Sequence, residues 1–140
     1  MTGALSTRRW TLGTLAALTV ATAVMATPAA AHEFLDYFAH GRADLSPAGH
    51  RMVRSVAAYA RSGRGARILI TAHMDTAEAA TFSDDLSRRR AQAVATELAR
   101  LGIDPSLIDL QGLGASTPAV PTPPNTAEPL NRRVTVSIGF

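Results

Sequence analysis

From Phe34 onward the hydrophobic period of this 140-residue chain keeps switching between that of a strand and that of a helix. Phe34 to Ala39 is a short apolar run that suits a strand. Ser46 and Pro47 then give an N-cap and a first helical position. Met52, Val56, Tyr59 and Ala60 follow at i, i+4, i+7 and i+8, so this helix buries one face and ends at Ser62-Gly63-Arg64-Gly65. Arg67 to Ala72 is β-branched and almost continuously apolar, the pattern of a strand covered on both sides. A polar loop from Thr76 leads to Ser83-Asp84-Asp85, where cap residues and first-turn acids open a second helix. That helix runs to about Leu101, stops at Gly102 and is followed by Asp104-Pro105. Leu107 to Leu110 reads as a third strand entering Gly112-Leu113-Gly114, and residues 115–130, with five of the eight prolines, form a loop. Val134 to Ile138 alternates as a half-buried final strand. The order β-α-β-α-β-β predicts an α/β (α+β) sandwich: one mixed sheet packed against two helices, without repeats or a second domain.

The residues ahead of this pattern read as an address. Arg8 and Arg9 precede a weakly apolar run from Leu12 to Met25, and Ala29-Ala30-Ala31 supplies a small-residue cleavage site. A membrane span needs roughly 20 apolar residues, and this run is shorter and rich in Thr and Gly. Residues 1–31 are therefore expected to be a signal peptide cut after Ala31, with residues 32–140 as the exported domain. Thr7 to Leu12 also resembles a twin-arginine signal, which leaves the export route open. Removing Arg8 and Arg9 lowers the formal charge from +3 to +1, which leaves no basic footprint for nucleic acid. The absence of cysteine excludes disulfides, thiolate metal sites, a catalytic thiol and a lipid-modified N-terminus. With no cysteine to acylate and no barrel strands ahead of the domain, the expectation is a periplasmic protein without a transmembrane segment, held by the cell wall or by a partner.

One residue breaks the pattern. On a helical wheel starting at Leu86, Leu101, Val94 and Leu98 fall at about 60°, 80° and 120°. Arg90 falls at about 40°, inside that apolar stripe, whereas Arg88 points away and Arg89 lies on the flank. A guanidinium among core-facing side chains is costly unless a carboxylate or several acceptors meet it. Asp75, just beyond the second strand, is the nearest partner in prospect. Two readings are open: a structural Asp75–Arg90 ion pair, or two separated charges facing a zwitterion, with Asp75 taking an ammonium and Arg90 a carboxylate.

The segment Ile68–Val94 resembles the OmpA-like peptidoglycan-associated domain found in OmpA C-termini, peptidoglycan-associated lipoproteins and flagellar stator proteins. The strand-end motif G-H-T-D corresponds to Ala72-His73-Met74-Asp75, and N-x-x-L-S-x-x-R-A to Ser83-Asp84-Asp85-Leu86-Ser87-Arg88-Arg89-Arg90-Ala91. Further on, G-x-G is Gly112-Leu113-Gly114, and N-R-R-V is Asn131-Arg132-Arg133-Val134. The resemblance implies non-covalent, non-enzymatic binding of peptidoglycan through the diaminopimelate of its stem peptide, without cofactor or metal. It implies that Asp75 holds the ammonium and Arg90 the carboxylate, with Arg132 or Arg133 assisting at the groove. Where the family has Asn this chain has Ser83, and where it has Thr this chain has Met74; the polar residue after the first strand aligns with Gly41 or His40. Each lost hydrogen bond costs about 0.5–1.5 kcal/mol, so weakened binding is expected.

Other chemistry has less support. His73 and Asp75 form an H-x-D pair without a third ligand at a telling spacing. Ser87 has neither a nucleophile motif nor a His partner, and Gly112-Leu113-Gly114 lacks the Lys and helix start of a phosphate loop. The alternative to wall binding is an OmpA-like scaffold whose wall site has degenerated and which docks onto another envelope protein.

Overall fold

The computed structural model describes residues 32–63 and 67–139. The signal peptide expected over residues 1–31 lies outside them. Strand β1 (His32–Tyr37) leads into α1 (Pro47–Ser62), then β2 (Arg67–Ala72). A short helix α2 (Thr76–Thr81) precedes α3 (Asp85–Arg100). A 3-10 turn at Pro105–Leu107 enters β3 (Ile108–Gly112), and a second at Pro129–Asn131 enters β4 (Arg133–Gly139). The sheet order is β1-β4-β2-β3. β4 runs antiparallel to both neighbours, and β2 and β3 are parallel, so the sheet is mixed. A parallel pair needs a crossover, which α2 and α3 supply.

The helices cover one face. Val53, Val56 and Ala57 of α1 and Ala91, Val94 and Leu98 of α3 pack over Ile68, Ile70, Val134, Val136 and Ile138. Ser46 caps α1 by accepting from the Gly49 amide, with Pro47 at the first helical position. The buried stripe of α1 is centred on Val53 and Ala57 rather than on Met52, Tyr59 and Ala60, which pack at its edge. Strand β2 is not covered on both sides: Ile68, Ile70 and Ala72 are buried, whereas Leu69 is 39% exposed on a face that no helix reaches. Its hydrophobicity is higher than its position requires.

The largest departure from expectation is α2, where the sequence reads as a polar loop. Asp75 caps it: its carboxylate accepts from the Glu78 amide at 2.7 Å, and the Glu78 carboxylate accepts from the Asp75 amide at 3.3 Å. This reciprocal capping box offsets the nucleation cost of so short a helix.

The proline-rich segment is tied down by side chains. Buried Asn131 accepts from the Val120 amide at 2.9 Å and donates to its carbonyl at 2.8 Å. The Thr76 hydroxyl accepts from the Thr126 amide at 2.9 Å and donates to the Pro123 carbonyl at 2.8 Å.

Candidate functional site

Arg90 is the largest fully buried side chain among the described residues. The wheel placed it correctly in the apolar stripe; its partner is not the expected one. Glu78, also fully buried, meets the guanidinium in a two-pronged pair: Nη2 donates to Oε1 at 2.6 Å and Nη1 to Oε2 at 2.8 Å. The other three N–H groups donate to main-chain carbonyls: Nε to Arg42 at 2.7 Å, Nη1 to His73 at 2.8 Å and Nη2 to Ala39 at 3.3 Å. All five donors are matched, and the Phe38 ring lies 5.0 Å from the guanidinium carbon.

Asp75 is likewise fully buried and likewise paired elsewhere. Its Oδ1 accepts from the Glu78 amide, and its Oδ2 accepts from the Glu128 amide at 3.0 Å and from Arg132 Nη1 at 3.0 Å. Burial alone would raise the carboxyl's pKa, but the two amides and the Arg132 guanidinium outweigh it and hold the group below the ordinary carboxylate range. Arg132 is anchored in turn by donating from Nε to the Phe38 carbonyl at 3.0 Å. The direct Asp75–Arg90 ion pair, one of the two readings open from sequence, is absent: its place is taken by two pairs, Arg90–Glu78 and Asp75–Arg132. They interlock through the capping box into one neutral cluster of four charges.

The remaining expected residues divide. Arg132 joins the cluster. Arg133, one residue later on β4, points to the opposite face of the sheet, where it is paired in register with Tyr37 and donates to the Thr117 carbonyl at 3.2 Å. Met74 is buried, its amide donating to the Gly114 carbonyl at 2.8 Å. Ser83 is exposed just ahead of α3. Gly41 borders the cluster, its amide donating to Glu78 Oε1 at 2.8 Å. At φ +67°, with the Phe82 ring 2.8 Å from where a Cβ would stand, only glycine fits. His40 is half-exposed with Nδ1 4.0 Å from Glu78 Oε1.

His73 lies beyond the end of β2, buried, with Nδ1 3.2 Å from the Thr117 hydroxyl. Burial, aided by the Arg133 guanidinium, pushes its pKa down to about 4. Among the described residues no three His, Asp or Glu side chains converge as metal ligands. Ser87 Oγ donates to the Asp84 carbonyl at 2.7 Å and accepts from the Gly114 amide at 3.0 Å, which makes it a fastener between α3 and the end of β3.

Glu78 is the residue that sequence reasoning missed. The signal was present as the Asp75-x-x-Glu78 spacing of a capping box.

Comparison with known proteins agrees with this architecture. An outer membrane protein of Gluconacetobacter diazotrophicus is 36% identical over 115 residues, covering 78% of this chain and 30% of that protein. Outer membrane protein A of Bordetella avium is 29% identical over 102 residues, covering 73% of this chain and 53% of that protein. The chain thus spans between about a third and a half of the length of these relatives. Among solved structures, the peptidoglycan-associated lipoprotein of Burkholderia pseudomallei superposes with a TM-score of 0.64 at 21% identity, over 75% of this chain and 89% of that one. The type VI secretion cell wall anchor of Pseudomonas aeruginosa gives 0.63 at 24% identity, over 76% and 80%. These relatives are outer-membrane and cell-envelope proteins, and the cell envelope is the compartment of this chain. No helix among the described residues is long and apolar enough to cross a membrane. The OmpA family pattern matches residues 37–132, and the chain belongs to the OmpA family.

Proposed function

We propose that this chain binds peptidoglycan without covalent chemistry, taking the diaminopimelate of the stem peptide at the Asp75–Arg90 cluster. The observation that carries the reading is the charge order of that cluster. Asp75 holds a cation, Arg132, and Arg90 holds an anion, Glu78, so the internal partners carry the same charges as the two ends of a zwitterion. An incoming ammonium exchanges for Arg132 on Asp75, and an incoming carboxylate exchanges for Glu78 on Arg90. Arg132 keeps 14% of its side chain exposed and lies on the solvent side of the pair. Ser83 is exposed ahead of α3, whereas Met74 is buried and Arg133 lies on the opposite face of the sheet.

A second reading is the scaffold that docks onto another envelope protein; the complete pairing of Arg90 in the free protein favours it. Retention on purified insoluble peptidoglycan separates the two. Wall binding predicts retention that free meso-diaminopimelate competes away and that Arg90→Ala abolishes, while Arg88→Ala, exposed on the far side of α3, leaves it intact. The same ligand raises the parent's melting temperature in proportion to ln(1 + [L]/Kd). Equal loss from Arg88→Ala and Arg90→Ala, or no response to millimolar diaminopimelate, leaves the scaffold reading standing.

A further inference from the structure

We infer that Glu78 is a built-in competitor for the ligand's carboxylate, so that the site is self-masked in the free protein and its affinity is set by how readily Glu78 lets go. The inference rests on the wall-binding reading above.

It follows from how the five Arg90 donors divide. The carbonyls of Ala39, Arg42 and His73 use one N–H on each guanidinium nitrogen, and they come from the β1–α1 loop and the end of β2. These bonds fix the plane of the guanidinium whether or not Glu78 is present. What remains is one N–H on Nη1 and one on Nη2, the parallel fork that suits a carboxylate, and Glu78 occupies it. Three neutral carbonyls cannot neutralise a buried cation, so some carboxylate has to stand at the fork in every well-populated state. The candidates are Glu78 and a ligand.

Glu78 is also suited to leave. It sits on α2, a helix of six residues whose Ala79, Ala80 and Thr81 are exposed. Its contacts other than Arg90 are single amides, from Gly41 at 2.8 Å and Asp75 at 3.3 Å. Half-exposed His40, 4.0 Å from Oε1, marks the solvent side of the carboxylate. A ligand that must displace an internal carboxylate binds with its intrinsic affinity reduced by the fraction of molecules in which the fork is free.

The experiment compares the full chain with Glu78→Gln, which keeps the side-chain length and the capping oxygen but not the charge. Affinity is measured for a soluble disaccharide-peptide fragment carrying diaminopimelate, and retention for whole sacculi, with circular dichroism to establish folding. Glu78→Gln is expected to bind the fragment about 3–10-fold more tightly than the parent, and Arg90→Ala on that background to lose the gain. Unchanged or weaker binding by folded Glu78→Gln, with the parent still binding through Arg90, overturns the competitor role and leaves wall binding intact. Failure of both parent and Glu78→Gln to bind fragment or sacculi removes the wall-binding reading and this inference with it. Should Glu78→Gln not fold, Glu78→Ala is refolded in sodium acetate and in sodium chloride of equal ionic strength. Recovery in acetate alone supports a fork open to external carboxylates, and no recovery in either counts against it.

Discussion

Helix α3 carries two carboxylate–arginine clusters little more than two turns apart, made of the same residue types and different in almost everything else. Near its start, Arg90 and Glu78 are fully buried. Near its end, Arg100 donates to Glu97 from Nε at 2.8 Å with its own side chain 66% exposed, and His50 approaches the same carboxylate at 3.4 Å. In the outer cluster Arg100 and His50 stand open to water although the Glu97 side chain is only 11% exposed, so its two cations each have an alternative partner and less depends on any one contact. The inner cluster has no such alternative, and each charge there requires its complement. Binding by partner exchange can work only at the inner cluster, because only there does removing a partner leave an unmet demand.

The contrast is sharpest when one inner partner is deleted. Arg90→Ala or Glu78→Ala is expected to lose about 3–5 kcal/mol in urea denaturation. The double variant with both Arg90→Ala and Glu78→Ala should cost clearly less than the sum. An additive double variant would mean that the inner pair behaves like the outer one.

Next in size is Asp75→Asn, which removes a charge that two amides and Arg132 hold in place and is expected to cost about 2–3 kcal/mol. Because the Asp75 pKa is lowered in the folded state, its contribution is complete above the ordinary carboxylate pKa and is lost as the pH falls through the lowered value. Denaturation midpoints recorded from pH 5 downward should therefore fall less steeply in Asp75→Asn than in the parent.

His73 gives a smaller effect in a different window. Its folded pKa of about 4 lies below the ordinary value of 6.5, so the unfolded chain takes up the proton first. Stability is then lost as the pH falls from about 6.5 to 4, by about 1–3 kcal/mol. His73→Gln should flatten that limb while leaving the one below pH 4 in place.

The smallest effect belongs to the outer cluster. Arg100, with His50 behind it, holds the Glu97 carboxyl down at about 2, yet Glu97→Gln is expected to move the melting temperature by no more than about 2 °C. A larger change would erase the distinction between the clusters.

Much of this was legible in the sequence, for reasons that vary by residue. Ser46-Pro47 and Gly102 announce helix ends because capping chemistry is local, and both stand where expected, Gly102 with φ +90°. The anomaly at Arg90 was visible because periodicity fixes which face a residue occupies. Its partner was not visible, because a helical wheel says which charge is buried and nothing about what reaches it across the fold. Glu78 stayed hidden because α2 is too short to establish a helical period. The division of Arg132 from Arg133 depends on where β4 begins, and strand alternation turns a one-residue difference in that start into a change of face.

The amide hydrogens that hold the proline-rich segment in place carry a further consequence. Val120, Thr126 and Glu128 do not donate into a strand ladder; their amides end on side chains, those of Asn131, Thr76 and Asp75. Proline has no amide to contribute, and these three amides owe their protection from deuterium exchange to side chains outside the stretch. The three amides are expected to exchange together as one opening unit at a rate unlike that of the sheet. Glu128 alone shares its acceptor with Arg132, so its deuterium uptake reads the state of Asp75 from outside the cluster.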